Sequence, residues 1–179
     1  MGATLETAEH GYADQLSRLF YSFRLAHFNH RYYCERLGKL RRLDNIFQIT
    51  ITVATAASFA LLSFADFPHV KAVAAVLAII AFLFSVASPV LSLNRKMDDT
   101  SARACAFHYA AQQLENALRF VKNSQGRDEE ISGWIQSAEE AYHQSSALPD
   151  TDVQDQPLLR KVEDEINESF PSSYVWTAF

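Results

Sequence analysis

His27, His30 and Cys34 come closest in this sequence to residues whose types and spacing could do chemistry. At i, i+3 and i+7 one helix face could present all three, and all are metal-ligand types. They also continue an apolar stripe. No HExxH or CxxC supports them and no fourth ligand is evident, so helix packing is favoured over a metal centre. His108 reads as a helix-contact residue rather than a general base. The chain has five glycines and no GxSxG, P-loop or GxGxxG, and no nucleophile comes with an identifiable partner. The expectation is a protein that is not an enzyme, with no catalytic site, no metal and no cofactor. The two cysteines, Cys34 and Cys105, read as reduced cytosolic thiols.

The elements that would position these residues are helical, and the expected fold class is all-α. Leu16, Leu19, Phe20, Phe23, His27, His30, Tyr33, Cys34, Leu37 and Leu40 recur at helical spacing, and no proline interrupts residues 12–43. Gly38 lies inside this helix as a point of flexure or a close contact. Ala104, Phe107, Ala111, Leu114, Leu118 and Val121 repeat at three and four, until Ser124-Gln125-Gly126 breaks the pattern. A further helix is expected to start near Asp128, with Ile131, Trp134, Ile135, Ala138, Ala141 and Tyr142 on its apolar face. Pro157 suits the first turn of a short helix that buries Leu158, Leu159, Val162 and Ile166, and Pro171 ends it.

Between Asp44 and Arg95 the only charges are Asp66 and Lys71. Residues 46–64 are uncharged and, at about 1.5 Å per residue, would cover roughly 28 Å, close to a bilayer core of about 30 Å. Residues 72–93 are also uncharged and slightly longer. Residues 65–71, with Pro68 and both charges, read as a turn at the water interface. The expectation is a two-span transmembrane helical hairpin of residues 46–93. An N-terminal amphipathic helix (residues 1–45) and a helical region (94–179) would extend it into the cytoplasm as an antiparallel stalk, with additional short C-terminal helices. Arg31, Arg36, Lys39, Arg41 and Arg42 precede the first span, and Arg95, Lys96 and Arg103 follow the second. The positive-inside rule then puts both termini in the cytoplasm. The start, Met1-Gly2-Ala3-Thr4-Leu5-Glu6, has no apolar core for a signal peptide, and Glu6 fails the myristoylation pattern. The membrane address is therefore expected in the internal segments.

Within the second span Ala74, Ala78, Ala81, Ser85, Ser88 and Ser92 follow a spacing of four, three, four, three, four. Small residues let helices approach closely in lipid. Thr52, Ala56, Ala60 and Ser63 form a weaker stripe on the first span, with Gln48 and Thr55 nearby. Two readings stay open: the stripes zip the hairpin together, or they line a water path that several copies would have to enclose. Pro89 is a candidate kink in the second span. From Asn123 onward acids far outnumber bases, which argues against nucleic acid or anionic lipid as partner of that end. Trp134 and the aromatic tail with Tyr174, Trp176 and Phe179 are the partner-contact candidates.

Several of these features occur together in one family. Tyr32-Tyr33-Cys34-Glu35-Arg36-Leu37-Gly38-Lys39-Leu40-Arg41-Arg42-Leu43-Asp44 leads into two spans with a very short turn. His108-Tyr109-Ala110-Ala111-Gln112-Gln113-Leu114 and an acidic helical end follow. From Tyr32 onward the chain resembles the SLATT family, the SMODS- and SLOG-associating two-transmembrane effectors. The resemblance implies a prokaryotic defence effector of the bacterial inner membrane. Such an effector would form homo-oligomers that open a pore or disrupt the bilayer, causing cell death or growth arrest. It implies membrane lipid and a separate nucleotide-sensing or nucleotide-synthesising protein as partners, and it supplies no catalytic residues. The rival expectation is a non-conducting scaffold or adaptor presenting its cytoplasmic helices to a partner protein.

Overall fold

The computed structural model describes the backbone of residues 2–62, 68–90, 92–124, 131–150, 153–171 and 173, with side chains for all of these except 2–12, 62, 68, 88–90, 124 and 131. Five α-helices follow one another: α1 (Gly2–Leu62), α2 (Pro68–Val90), α3 (Leu93–Ser124), α4 (Ile131–Ser146) and α5 (Gln156–Ser169). No strand occurs among the described residues, so the chain is all-α. The prolines explain much of this division. α1 has none and runs unbroken for 61 residues. Pro68 and Pro157 stand in first turns, where a fixed φ and a missing N–H cost nothing. Pro89 precedes the last residue of α2, and Pro149 and Pro171 lie just beyond α4 and α5.

Two compact units share these helices: Met1–Glu35 with Ser101–Phe179, and Arg36–Thr100. In the first, early α1 residues meet late α3 residues and the reverse, so the two helices run antiparallel. Leu16, Leu19, Phe20, Phe23 and Ala26 pack with Ala110, Ala111, Leu114, Ala117, Leu118 and Val121. Tyr32 and Tyr33 pack with Ala104 and Phe107. α4 closes one end of this core with Ala138, and α5 closes the other with Leu158, Val162 and Ile166. The expected antiparallel pairing of the two long helices is present, and the two short helices pack into its core to make a four-helix arrangement. The apolar stripes of α1 and α3 are too wide to be covered by each other alone. α5 begins at the N-cap Asp155, whose side chain accepts from Leu158 N–H at 3.1 Å, and Phe170 N–H closes its end on Ile166 C=O at 2.8 Å.

In the second unit the end of α1 lies beside α2. Counted from the short link between the helices, Phe47 and Phe84 stand almost equally far along, and their rings meet 5.1 Å apart. The pair is thus antiparallel, with Ala54, Ser58, Ala74 and Ala81 buried. α2 starts at Pro68, so residues 68–71, read above as turn, are helical. The expected kink at Pro89 is instead a helix end: α2 stops one residue later and Ser92 takes a left-handed φ of 50°. Lys96 N–H then bonds Ser92 C=O at 3.0 Å as α3 begins. The apolar stretch from Pro68 to Val90 and the helix after it are consequently two helices, whereas the uncharged residues from Ile46 to Leu62 and the helix before them are one. A Cβ at Gly38 would meet nothing within 4 Å, so close approach is not the reason for this glycine.

Candidate functional site

The surface of the second unit is its most unusual chemical feature. Large apolar side chains point outward along both of its helices: Ile46, Ile49, Val53 and Phe59 on α1, and Val76, Ile79, Phe82 and Leu83 on α2. His69–Ala87 is long and apolar enough to cross a membrane, and only 11 % of it is buried. A core helix of a soluble protein would be mostly covered. Among the described residues it is the one helix that meets this test.

The small-residue stripes divide between the inside and outside of this pair. Ala74 and Ala81 are buried, whereas Ala78, Ser85 and Ser92 are exposed, and the side chain of Ser88 lies outside the described residues. Half-buried Leu77 and Phe84 complete the inner face of α2. At about 100° per residue that face is centred about 50° away from the stripe, so the stripe is not one seam. On α1 the correction is larger. Thr52, Ala56 and Ala60 lie opposite the inner face, Gln48 and Thr55 are exposed on its flank, and Ser63 lies outside the described residues. The inner face is made by Phe47, Thr50, Ile51, Ala54, Ala57, Ser58 and Leu61. Exposed Thr52 donates its hydroxyl to Gln48 C=O at 2.8 Å, and buried Ser58 donates to Ala54 C=O at 2.7 Å. Hydroxyls returned to their own helix in this way carry no unmet polarity into an apolar surrounding.

In the first unit the histidines are packing residues. His27 lies edge-on to Phe23 (4.5 Å) and beside Phe170 (4.9 Å). Burial, helped by His30 and His108, pushes its pKa below the ordinary histidine value. His30 Nδ1–H donates to Ala104 C=O at 3.0 Å, and its ring lies 4.9 Å from that of His108. Cys34 Sγ sits 3.7 Å from His30 Nδ1, and burial pushes its thiol pKa up, away from a reactive thiolate. Among the described residues no three His, Cys, Asp or Glu side chains gather to hold a metal. Trp134 is partly exposed, with its ring 5.7 Å from that of Phe120. Tyr174, Trp176 and Phe179 lie outside the described residues.

Sequence reading missed a polar bridge in this unit. Asp150, in the segment between α4 and α5, accepts from Arg103 Nη1 at 2.6 Å and from Tyr33 O–H at 2.8 Å. The Arg103 guanidinium also lies 5.4 Å from the Tyr33 ring centre. Burial, then the bond to Asp150, raises the Tyr33 phenol to about 12. Burial opposes the charge of Arg103, but the bond to Asp150 outweighs it and holds the guanidinium pKa above its ordinary value. Next to this, Asp155 N–H donates to Tyr32 O–H oxygen at 3.1 Å. Two adjacent tyrosines thus hold the connection that places α5 at two points, Asp150 and Asp155. One signal pointed here: Arg103 stands at i−4 from Phe107 on the buried stripe of α3, where a charge demands a partner.

A shallow groove of about 460 Å³ runs between α1 and α5, floored by Leu25, Phe28, Leu159 and Ile166 and edged by Arg24 and Arg160. Compared with known proteins, the chain matches no family model, no curated protein and no solved structure.

Proposed function

We propose that this chain is a membrane effector of SLATT type, in which α2 and the uncharged end of α1 both cross the bilayer and several copies assemble to open or disrupt it. The observation that carries this reading is the outward-facing apolar surface of the antiparallel pair, for which lipid and further copies are the natural cover. α1 is described to Leu62, and its uncharged stretch continues in sequence to Phe64, long enough for a second span. Lys39, Arg41 and Arg42 before the pair and Arg95 and Lys96 after it favour a cytoplasmic position for both ends, as expected for a bacterial inner-membrane protein. Two helices cannot enclose a pore, so conduction requires homo-oligomers. Their wet face would carry Gln48, Thr55, Ala78 and Ser85, which the pair leaves uncovered. Activation by a separate nucleotide-signalling protein would act through the cytoplasmic unit, whose four helices form a folded receiver.

The test is induced expression with a membrane-potential dye. Wild type depolarises the cell, and Thr55→Leu and Ser85→Leu, inserted at wild-type level, do not. An inserted wild-type chain that leaves the potential intact would sink the conduction reading. A second reading, a non-conducting adaptor, is favoured by one observation: Thr52 spends its hydroxyl on its own helix instead of offering it to water or a neighbour. Under it the span substitutions are silent, while Trp134→Ala abolishes function.

A further inference from the structure

From the groove between α1 and α5 we infer a binding site for a planar aromatic molecule that carries a phosphate or carboxylate group. The charge pattern of the surrounding unit leads there. Arg18 pairs with Glu139, Arg31 with Glu35 and Glu165, Arg103 with Asp150 and Arg119 with Glu115. Arg24 and Arg160 break this habit: among the described residues neither has a carboxylate partner, although this end of the chain is rich in acids. Both edge the same groove, whose lining also holds one carboxylate, Glu163, so the two arginines leave it with one net positive charge.

Arg24 is the more telling of the two. It is half-buried and donates one Nη2 bond to Asn167 Oδ1 at 2.5 Å, while its Nε is buried with no partner at all. With one guanidinium bond taken by Asn167, an oxyanion at the groove edge would draw charge-assisted bonds from the remaining donors of Arg24 and from Arg160. Guanidinium geometry suits phosphate and carboxylate equally, so the anion belongs to one of these two groups.

The remaining walls set the rest of the ligand. Leu25, Phe28 and Leu159 present an apolar face, and the Tyr21 ring stands exposed at its edge. About 460 Å³ lies within the range of small-molecule sites and is far more than a bare anion fills. A flat ring laid on Phe28 beside two guanidinium groups uses both the apolar floor and the unmatched charge. The inference concerns the first unit alone and stands whether or not the second conducts.

Equilibrium dialysis of the full chain in neutral detergent tests it with four probes. AMP and indole-3-acetate are the aromatic phosphate and the aromatic carboxylate. Adenosine is a ring without the charge, and inorganic phosphate a charge without the ring. At least one aromatic anion binds with a Kd below about 1 mM and about tenfold tighter than adenosine or phosphate. Which of the two binds identifies the anion. Arg160→Gln, on the exposed rim, and Arg24→Gln each weaken it about tenfold, the loss of one charge-assisted bond. Arg119→Gln, remote from the groove, leaves it unchanged. The inference is overturned if neither aromatic anion binds, if phosphate alone binds as tightly, or if Arg160→Gln binds like wild type with an unchanged melting curve.

Discussion

Removing the Asp150 carboxylate tests whether the polar bridge holds the first unit together. In Asp150→Ala the Arg103 guanidinium, only 9 % exposed, keeps its charge and loses its 2.6 Å partner. Stranding a buried charge costs about 3–5 kcal/mol, and because Asp150 is itself a quarter exposed, water relieves part of this and the low end applies. The Tyr33 phenol loses its acceptor as well, adding about 1 kcal/mol. The expected loss is therefore about 4 kcal/mol, which for a unit of this size lowers Tm by roughly 15 °C. Arg103→Met in the same background removes the stranded charge and fills its volume, so the double variant recovers to within about 1–2 kcal/mol of wild type. Trp134 packs on Phe120 within this unit, so in a Trp176→Phe background its fluorescence reports the unit's melting. A single variant that melts within 3 °C of wild type, or a double variant less stable than Asp150→Ala, would refute the account of Arg103 as a buried charge held by one carboxylate.

Three further outcomes follow from the same packing. The folded state lowers the pKa of His27, so the unfolded chain binds the proton more readily; stability is complete above the unfolded value of 6.5 and falls as pH drops below it. Melting temperatures measured from pH 7.5 to 5 therefore fall more steeply for wild type than for His27→Gln. Leu118→Ala empties a fully buried position between α1 and α3 and costs about 3 kcal/mol, read by the Trp134 signal. Exposed Cys105 reacts with a maleimide at the rate of a free thiol, whereas Cys34, half-buried and with its pKa raised, reacts at least about tenfold more slowly, as thiolate-controlled chemistry requires. Mass spectrometry of the single-cysteine variants separates the two.

The helices of the first unit were legible because water writes their pattern. Leu16, Leu19, Phe20 and Phe23 on α1 and Phe107, Leu114, Leu118 and Val121 on α3 lie inside, as their spacing requires. α5 was largely legible, with Pro157 in the first turn and Leu158, Val162 and Ile166 buried, while Leu159, expected on the same face, is only partly covered and the helix stops at Ser169, two residues before Pro171. What could not be read was how many helices share the core. Periodicity shows that a face is buried but not against what, and the bonds that place α5 join residues 117 and 123 positions apart. Arg103 marked the place, since a charge on a buried stripe needs a partner. Asp150 was hidden among acids of which most face water.

In the second unit the same logic fails for a physical reason. If lipid surrounds this pair, as proposed, burial no longer separates hydrophobic from polar positions, and large residues such as Ile49, Val53 and Phe82 turn outward. Only side-chain size is left to mark a contact face, and on α1 that mark is ambiguous. Ala54, Ala57 and Ser58 make one small-residue face, while Thr52, Ala56 and Ala60 make another on the opposite side. The first meets α2; the second stays open, and so do Ala78 and Ser85 on α2. Two contact-competent faces on one helix are one more than a hairpin can use. Under the assembly proposed above, Thr52, Ala56 and Ala60 are the positions that would meet another copy of the chain, and they are the ones to substitute when testing assembly.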